Sequence, residues 1–349
     1  MTEESQMRNM RYLGVADMIA LIEQLGIGNV LKGMAAYIEE DFRNWPDFDK
    51  TPRVASHSDA GVIELMPTAN AELYGFKYVN GHPGNFRAGL QTVTGFGVLA
   101  DVATGYPMLL SEMTIATALR TAAASAMAAR HLARADSKVM ALIGAGAQSE
   151  FQTIAFKEIV GINRVQVYDI APEAIAKYRR NLAGSGIEIT VAGSAAEAVQ
   201  GADIITTVTA DKRNATILSD NMVSAGVHVN AIGGDCPGKT ELQASILTRG
   251  RVFVEYPPQT RIEGEIQQMP EDFPVTELWS VITGATPGRL SAHEITIFDS
   301  VGFAIEDFSA LRYLWDQVQA TGHGQIIDLL TTPEDPRDLF GLLSKPEAA

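Results

Sequence analysis

Near the start of the chain apolar residues recur at helical spacing: Met18, Leu21, Ile22 and Leu25, then Val30, Leu31, Met34 and Ile38 beyond the break at Gly26-Ile27-Gly28. Side chains three and four apart share one helix face, so this spacing predicts two amphipathic helices. Between residues 53 and 110 the period shortens. β-rich runs at 61–66, 76–79 and 98–102 are separated by Gly, Pro, Asn and His, which predicts an antiparallel or mixed sheet. An alanine-rich stretch then predicts a helix from about residue 114 to 132, its small side chains allowing close packing.

From Lys138 the texture changes again, to strand, Gly-rich turn, helix and strand in repetition. Strands are expected near 139–143, 165–168, 187–191, 204–207 and 228–231, with a further strand at 295–298 and a long helix at 303–320. That alternation is the pattern of a doubly wound parallel sheet. The C-terminal tail, with Pro333, Pro336 and Pro346, reads as surface loop and fraying end.

Composition sharpens this α/β picture. A chain of 349 residues with 46% apolar and 20% charged residues is a folded protein with room for two domains. Its formal charge of −15 repels phosphate backbones and anionic lipid, so nucleic acid is excluded as a partner class. No segment approaches about 18 uninterrupted apolar residues, which argues against a membrane span. The polar first ten residues do not resemble a secretion signal. One cysteine, Cys236, cannot form a disulfide within the chain and fits a reducing, cytoplasmic setting.

Candidate chemistry begins where the strand Val139-Met140-Ala141-Leu142-Ile143 runs into Gly144-Ala145-Gly146-Ala147-Gln148-Ser149. Glycines here let the backbone approach a pyrophosphate, whose charge sits on the N–H groups opening the next helix. Ser149 stands where a third glycine is usual. Asp169 closes the following strand, near the spacing of the acid that binds ribose hydroxyls, and its charge would repel a 2′-phosphate. NAD is therefore favoured over NADP. The six histidines, at 57, 82, 131, 228, 293 and 323, show no metal-binding spacing, and Cys236 reads as a small packing residue.

Several segments resemble one family. These are Arg53-Val54-Ala55-Ser56-His57-Ser58, Val62-Ile63-Glu64-Leu65-Met66-Pro67, Phe76-Lys77-Tyr78-Val79-Asn80-Gly81-His82-Pro83 and Gly233-Gly234-Asp235-Cys236-Pro237-Gly238-Lys239-Thr240-Glu241-Leu242. The match continues through Arg251-Val252-Phe253-Val254-Glu255-Tyr256 and residues 259–266, and it covers nearly the whole chain. The chain is similar to the ornithine cyclodeaminase/mu-crystallin family. The resemblance implies a homodimer, with residues 1–130 and 312–349 forming an α+β substrate-binding and dimerisation domain and residues 131–311 a Rossmann-type NAD domain.

It also implies roles by position. Arg53, Lys77 and Arg120 would hold an amino-acid carboxylate, Val301 would touch substrate, and Asp235 would be the acid–base. NAD would meet Thr92, Arg120, Gly144, Gly146, Ala147, Gln148, Asp169, Thr209, Val229, Asn230, Ala231, Ile232, Lys239 and Ser300. Independently of the resemblance, three cations bordering one cleft are what a carboxylate needs in a protein this acidic. Each alone reads as a surface charge; Lys77, inside an apolar strand, is the least ordinary. Asp235 alone reads as a turn residue bonding its own backbone.

The implied reaction turns L-ornithine into L-proline and ammonia. Cα is oxidised, the distal amine freed by Asp235 closes the ring, ammonia leaves, and the hydride returns. Glu64 would order water or an ammonium, or serve structure alone. Three alternatives stay open: the same chemistry on lysine giving pipecolate, since one methylene decides only about 1–3 kcal/mol; an imine reductase or amino-acid dehydrogenase; and a non-catalytic NAD-carrying protein.

Overall fold

The computed structural model describes residues 10–209 and 216–343. Two sheets dominate it. The first combines β1 (Met10–Leu13), β2 (Val54–Ser58), β3 (Gly61–Ala69), β4 (Leu73–Gly81), β5 (Val93–Asp101) and β6 (Pro107–Glu112). The second holds β7 (Val139–Ile143), β8 (Arg164–Tyr168), β9 (Glu188–Val191), β10 (Ile204–Thr207), β11 (His228–Ala231), β12 (Arg251–Val254), β13 (Thr276–Glu277) and β14 (Thr296–Asp299). A last short strand, β15 (Gln325–Ile327), returns to the first sheet.

In the first sheet the order is β15-β1-β6-β5-β4-β3-β2, antiparallel except for the parallel pair β1 and β6. The mixed sheet expected from residues 53–110 is present. Its two edge additions, β1 and β15, were not foreseen, because three or four residues are too few to show a period. Pro333 and Pro336 lie in irregular chain beyond β15, and Pro346 lies outside the described residues.

The second sheet is parallel throughout, in the order β13-β12-β14-β11-β10-β7-β8-β9. Strand order reverses beside β7, so a crevice opens at the carboxyl ends of β7 and β10, where ligands of such sheets bind. The fold is α/β of the doubly wound type with an additional mixed sheet. β11, β10 and β14 are buried along their whole length, as expected for strands covered on both faces.

The opening helices are α1 (Val15–Leu25) and α2 (Ile27–Arg43), whose apolar stripes are buried through Met18, Leu21, Val30, Leu31, Met34 and Ile38. α3 (Thr114–Leu132) coincides with the alanine-rich stretch and is buried almost all round. It leads from the first sheet to the second. α4 (Ser149–Ala155) follows the glycine turn, and α5 (Pro172–Asn181), α6 (Ala195–Ala198), α7 (Ala244–Arg249), α8 (Pro257–Glu263) and α9 (Leu278–Ile282) connect the parallel strands. The long helix α10 (Ala304–Thr321) lies against α2 and across β3, β4 and β5. Its first turn carries two buried acids, Glu306 and Asp307.

On the first sheet the usual division of faces is inverted near the crevice. In β3, Val62, Glu64 and Met66 face inward while Ile63 and Leu65 are exposed; in β4, Lys77 lies inward between Gly75 and Val79. Alternation thus puts two charged residues under α10 and leaves apolar ones outside.

Phe308, in α10, is 1% exposed and meets the Phe48 ring edge-on at 5.2 Å. Phe308→Ala is expected to lower unfolding free energy by about 3–5 kcal/mol in a denaturant titration, the cost of a large buried ring and its cavity.

Candidate active site

Gly144 leaves β7 with φ of +106°, and a Cβ there would meet the Val208 carbonyl oxygen at 2.8 Å. Only glycine makes this turn without strain. A Cβ on Gly146, by contrast, would project into open space, so the loop leaves room for a ligand to approach its backbone. Ser149, in the place of the third glycine, is fully buried; its hydroxyl lies within hydrogen-bond distance of two acceptors, the Gly146 carbonyl at 2.7 Å and Glu150 at 2.9 Å. A small residue suffices there. Asp169 accepts from the Ala145 N–H at 2.6 Å and the Ala171 N–H at 2.8 Å, which holds its carboxylate against the glycine turn.

A cleft of about 470 Å³ lies between this loop and the first sheet. Arg53, Lys77, Arg120, Asp235, Val301, Thr92, Ala147, Gln148, Ile232, Ser300 and Glu64 all border it. Gly144, Gly146, Asp169, Thr209 and Lys239 are not among the residues that border it. Val229, Asn230 and Ala231 are fully buried within β11, where the Asn230 amide reaches Gln152 and Thr206 at 3.4 Å. Ile232, the next residue, is the first to emerge into the cleft.

Each of the three cations is backed by carboxylates. One oxygen of Asp307, Oδ1, accepts from Lys77 Nζ and from Arg120 Nε, both at 2.8 Å. Glu306 accepts from Arg120 at 2.7 Å. Arg53 donates to Glu64 at 3.1 Å and to the carbonyls of Val301 and Gly302 at 2.7 and 2.8 Å, and its Nε lies 3.1 Å from Glu263. Gly302, with φ of +73°, lets Arg120 pass where a Cβ would stand 2.7 Å from the guanidinium.

Burial and these partners pull in opposite directions. Desolvation, followed by the neighbouring Arg120 charge, pushes Lys77 down to about 8, although Asp307 resists. Asp307 is held below the usual carboxylate range, because Arg120 and Lys77 overcome the burial that would raise it. Burial dominates for Glu306, pushed up to about 8, and for Glu263, pushed up to about 7. Both arginines stay charged: burial works against them, and their acids more than offset it.

Asp235 differs from this dry end. Its side chain is 57% exposed and lies 3.4 Å from Lys239, whose ammonium donates to the Thr209 carbonyl. The loop around it is braced by buried acids. Glu241 accepts from the Thr209 N–H, Glu265 from the N–H groups of Glu241 and Leu242, and Asp299 from those of Glu265 and Ile266. Glu255, Glu263, Glu265, Asp299, Glu306 and Asp307 were not singled out in the sequence. Glu306 and Asp307 open an otherwise buried helix, a placement that acids at a helix start share with ordinary surface helices. Among the described residues no group of three His, Cys, Asp or Glu side chains is placed to hold a metal ion, and no helix is long and apolar enough to cross a membrane.

Residues 15–322 match the model of the ornithine cyclodeaminase/mu-crystallin family. Over 336 residues the chain is 64% identical to an ornithine cyclodeaminase of Brucella suis biovar 1 (strain 1330), covering 96% of this chain and 94% of that one. Among solved structures it is similar to a lysine cyclodeaminase described as recognising L-lysine, L-ornithine and L-2,4-diaminobutyric acid, with TM-score 0.88 and 29% identity over 96% of this chain and 99% of that one. An archaeal alanine dehydrogenase dimer with bound NAD gives TM-score 0.85 and 31% identity over 92% and 100% of the two chains.

Two outcomes are expected. Gly144→Ala will weaken dinucleotide binding at least about tenfold in a fluorescence titration, since the turn cannot keep its shape with a Cβ. A small monocarboxylate will bind in the cleft below pH 8 and lose affinity as pH rises and Lys77 loses its proton, by about tenfold between pH 8 and 9.5.

Proposed function

The chain belongs to the ornithine cyclodeaminase/mu-crystallin family, and from that premise we propose that it converts L-ornithine to L-proline and ammonia with bound NAD. The observation that carries this reading is the polarity of the cleft. Lys77, Arg120 and Arg53 make one end dry and positive, and Asp235 makes another part of the same lining exposed and acidic. A diamino acid has the matching polarity, with a carboxylate at one end and a second ammonium at the other.

The loop at Gly144 and Gly146, the unpartnered and buried Gln148 Oε1, and Asp169 suit NAD along the carboxyl edge of the parallel sheet. NAD bound there supplies reversible hydride removal at the substrate's Cα. Lys77, Arg120 and Arg53 bind the carboxylate and fix Cα within the cleft. Asp235 attracts the distal ammonium and takes its proton, which leaves a neutral amine able to attack. Because both reacting groups belong to one held molecule, ring closure gains the advantage of proximity. Asp235 can then return its proton to the departing amino group. Thr92, Ile232, Ser300 and Val301 border the same space and help keep water from it.

In this reading residues 1–130 and 312–349 bind substrate and residues 131–311 bind NAD. The first part also joins a second copy. Val54, Leu65, Tyr78 and Phe96 are cross-strand neighbours in one row over β2 to β5, with Val54, Leu65 and Phe96 at least 43% exposed. An apolar sheet face of this kind supports a homodimer. The single cysteine remains in keeping with a reducing cytoplasm.

Purified protein given L-ornithine and catalytic NAD is expected to form proline and ammonia in many equivalents per cofactor. Stoichiometric NADH accumulation would mark a simple dehydrogenase instead, and faster turnover of L-lysine would move the assignment to pipecolate. Asp235→Asn should keep NADH binding and lose turnover by about a hundredfold or more; an active variant would overturn the role given to Asp235.

A further inference from the structure

Resting on the carboxylate seat just described, we propose that Asp307 is the positioning residue of that seat, its single oxygen Oδ1 locking Lys77 and Arg120 side by side and holding the lysine in its charged form. Three observations support it. Lys77 comes from β4, Arg120 from α3 and Asp307 from α10, so this one atom joins three elements, with the Arg120–Glu306 pair as a second link between α3 and α10. All three residues are buried, with Lys77 and Asp307 at 1% and Arg120 at 6%, so removing the Asp307 carboxylate leaves two buried cations short of a partner. Asp307 itself does not line the cleft; it acts through two residues that do.

The donor geometry explains what the lock achieves. An ammonium and a guanidinium carry several N–H groups each, all donors. Arg120 spends Nε on Asp307 and one N–H of NH1 on Glu306, and Lys77 spends one N–H on Asp307. Both residues border the cleft and keep further N–H donors, so a carboxylate there can accept from two separate side chains. Asp307 sits in the first turn of α10, where the helix's own dipole favours an anion.

Charge is the second part. Arg120, Arg53, Asp307 and Glu306 are the charged or titratable groups whose fields act on Lys77 or are acted on by it, from α3, the strand-leading segment before β2, and α10. The two arginines disfavour a third cation, and burial pushes Glu306 above the usual carboxylate range, which weakens it as a counter-charge. Asp307 is the carboxylate that counters them, which makes the protonation of Lys77 depend on it.

The test uses the full-length enzyme with NAD, and compares Asp307→Asn with Asp307→Glu. For Asp307→Asn, KM for L-ornithine is expected to rise at least about tenfold with a smaller change in kcat, and the alkaline limb of kcat/KM to move down by about one pH unit or more. Asp307→Glu, which keeps the charge and shifts its position, should restore the alkaline limb while KM stays raised. A readout apart from turnover is the affinity of the NADH complex for L-norvaline, which has the same carboxylate and no distal amine; it should weaken in step with KM. A purely structural role would lower the melting temperature without moving the pH limb. An Asp307→Asn enzyme with KM within about twofold of wild type and an unmoved limb would overturn the proposal; should that variant not fold, an Asp307→Glu enzyme with unchanged KM and norvaline affinity overturns it equally. Failure of the wild-type protein to bind norvaline or turn over ornithine would instead remove the seat, and the proposal with it.

Discussion

A dry positive seat can persist inside a protein of formal charge −15 only if each cation has a carboxylate behind it. Moving an isolated ion out of water costs several kcal/mol, and a partner at hydrogen-bond distance roughly offsets that cost without adding much stability. The pairs of Lys77 and Arg120 with Asp307, and of Arg53 with Glu64 and Glu263, therefore explain why the cations can be buried, not why the fold is stable. Stability comes from the apolar core around α2, α3 and α10, where Met34, Ile38, Leu119, Phe308 and Leu314 are fully buried. The two systems meet on α10, which presents Phe308 to the core and Asp307 to the seat.

A second set of buried acids does different work. Among the described residues, Asp299, Glu265 and Glu241 have no arginine or lysine at ion-pair distance, and they accept backbone N–H groups, each from the segment that carries the next acid or, for Glu241, from Thr209. Burial pushes Asp299 up to about 7 and Glu265 up to about 8. This series runs from the end of β14 through residues 265 and 241 to the loop after β10. It spans the loop that holds Asp235 between Gly233 and Lys239, so an exposed carboxylate is supported by a rigid, buried frame. If Asp235 is the proposed acid–base, preorganisation of this kind would keep it in place without spending substrate binding energy on ordering it.

Legibility in the sequence followed length and period. α3 coincided with its alanine-rich stretch, and the strands from β7 to β11 stood out because each is a short apolar run followed by a turn. β1 and β15, of four and three residues at one edge of the first sheet, owe their membership to neighbours distant in sequence. Lys77 was visible as a charge in an apolar strand, whereas Glu64 came to notice only through the family resemblance. Glu306 and Asp307 were not visible, because two acids at a helix start are the ordinary complement to the helix dipole. What distinguishes them is burial, and burial is decided by packing of α10 across the first sheet. The acids after β12, Glu255 and Glu263, were hidden for the same reason.

Placement of the two charge types also bears on the order in which a substrate is recognised. Asp235 is more than half exposed, whereas Lys77 and Asp307 are almost wholly enclosed. In the proposed reading, an incoming diamino acid would meet the acidic, hydrated group with its ammonium while its carboxylate still had to shed water to reach the cations. Electrostatic attraction at the exposed carboxylate is screened and weak, so it steers rather than holds. Holding falls to the seat, where low dielectric strengthens each N–H···O bond. The cleft thus separates guidance from grip, and a ligand lacking the carboxylate gains only the weaker of the two.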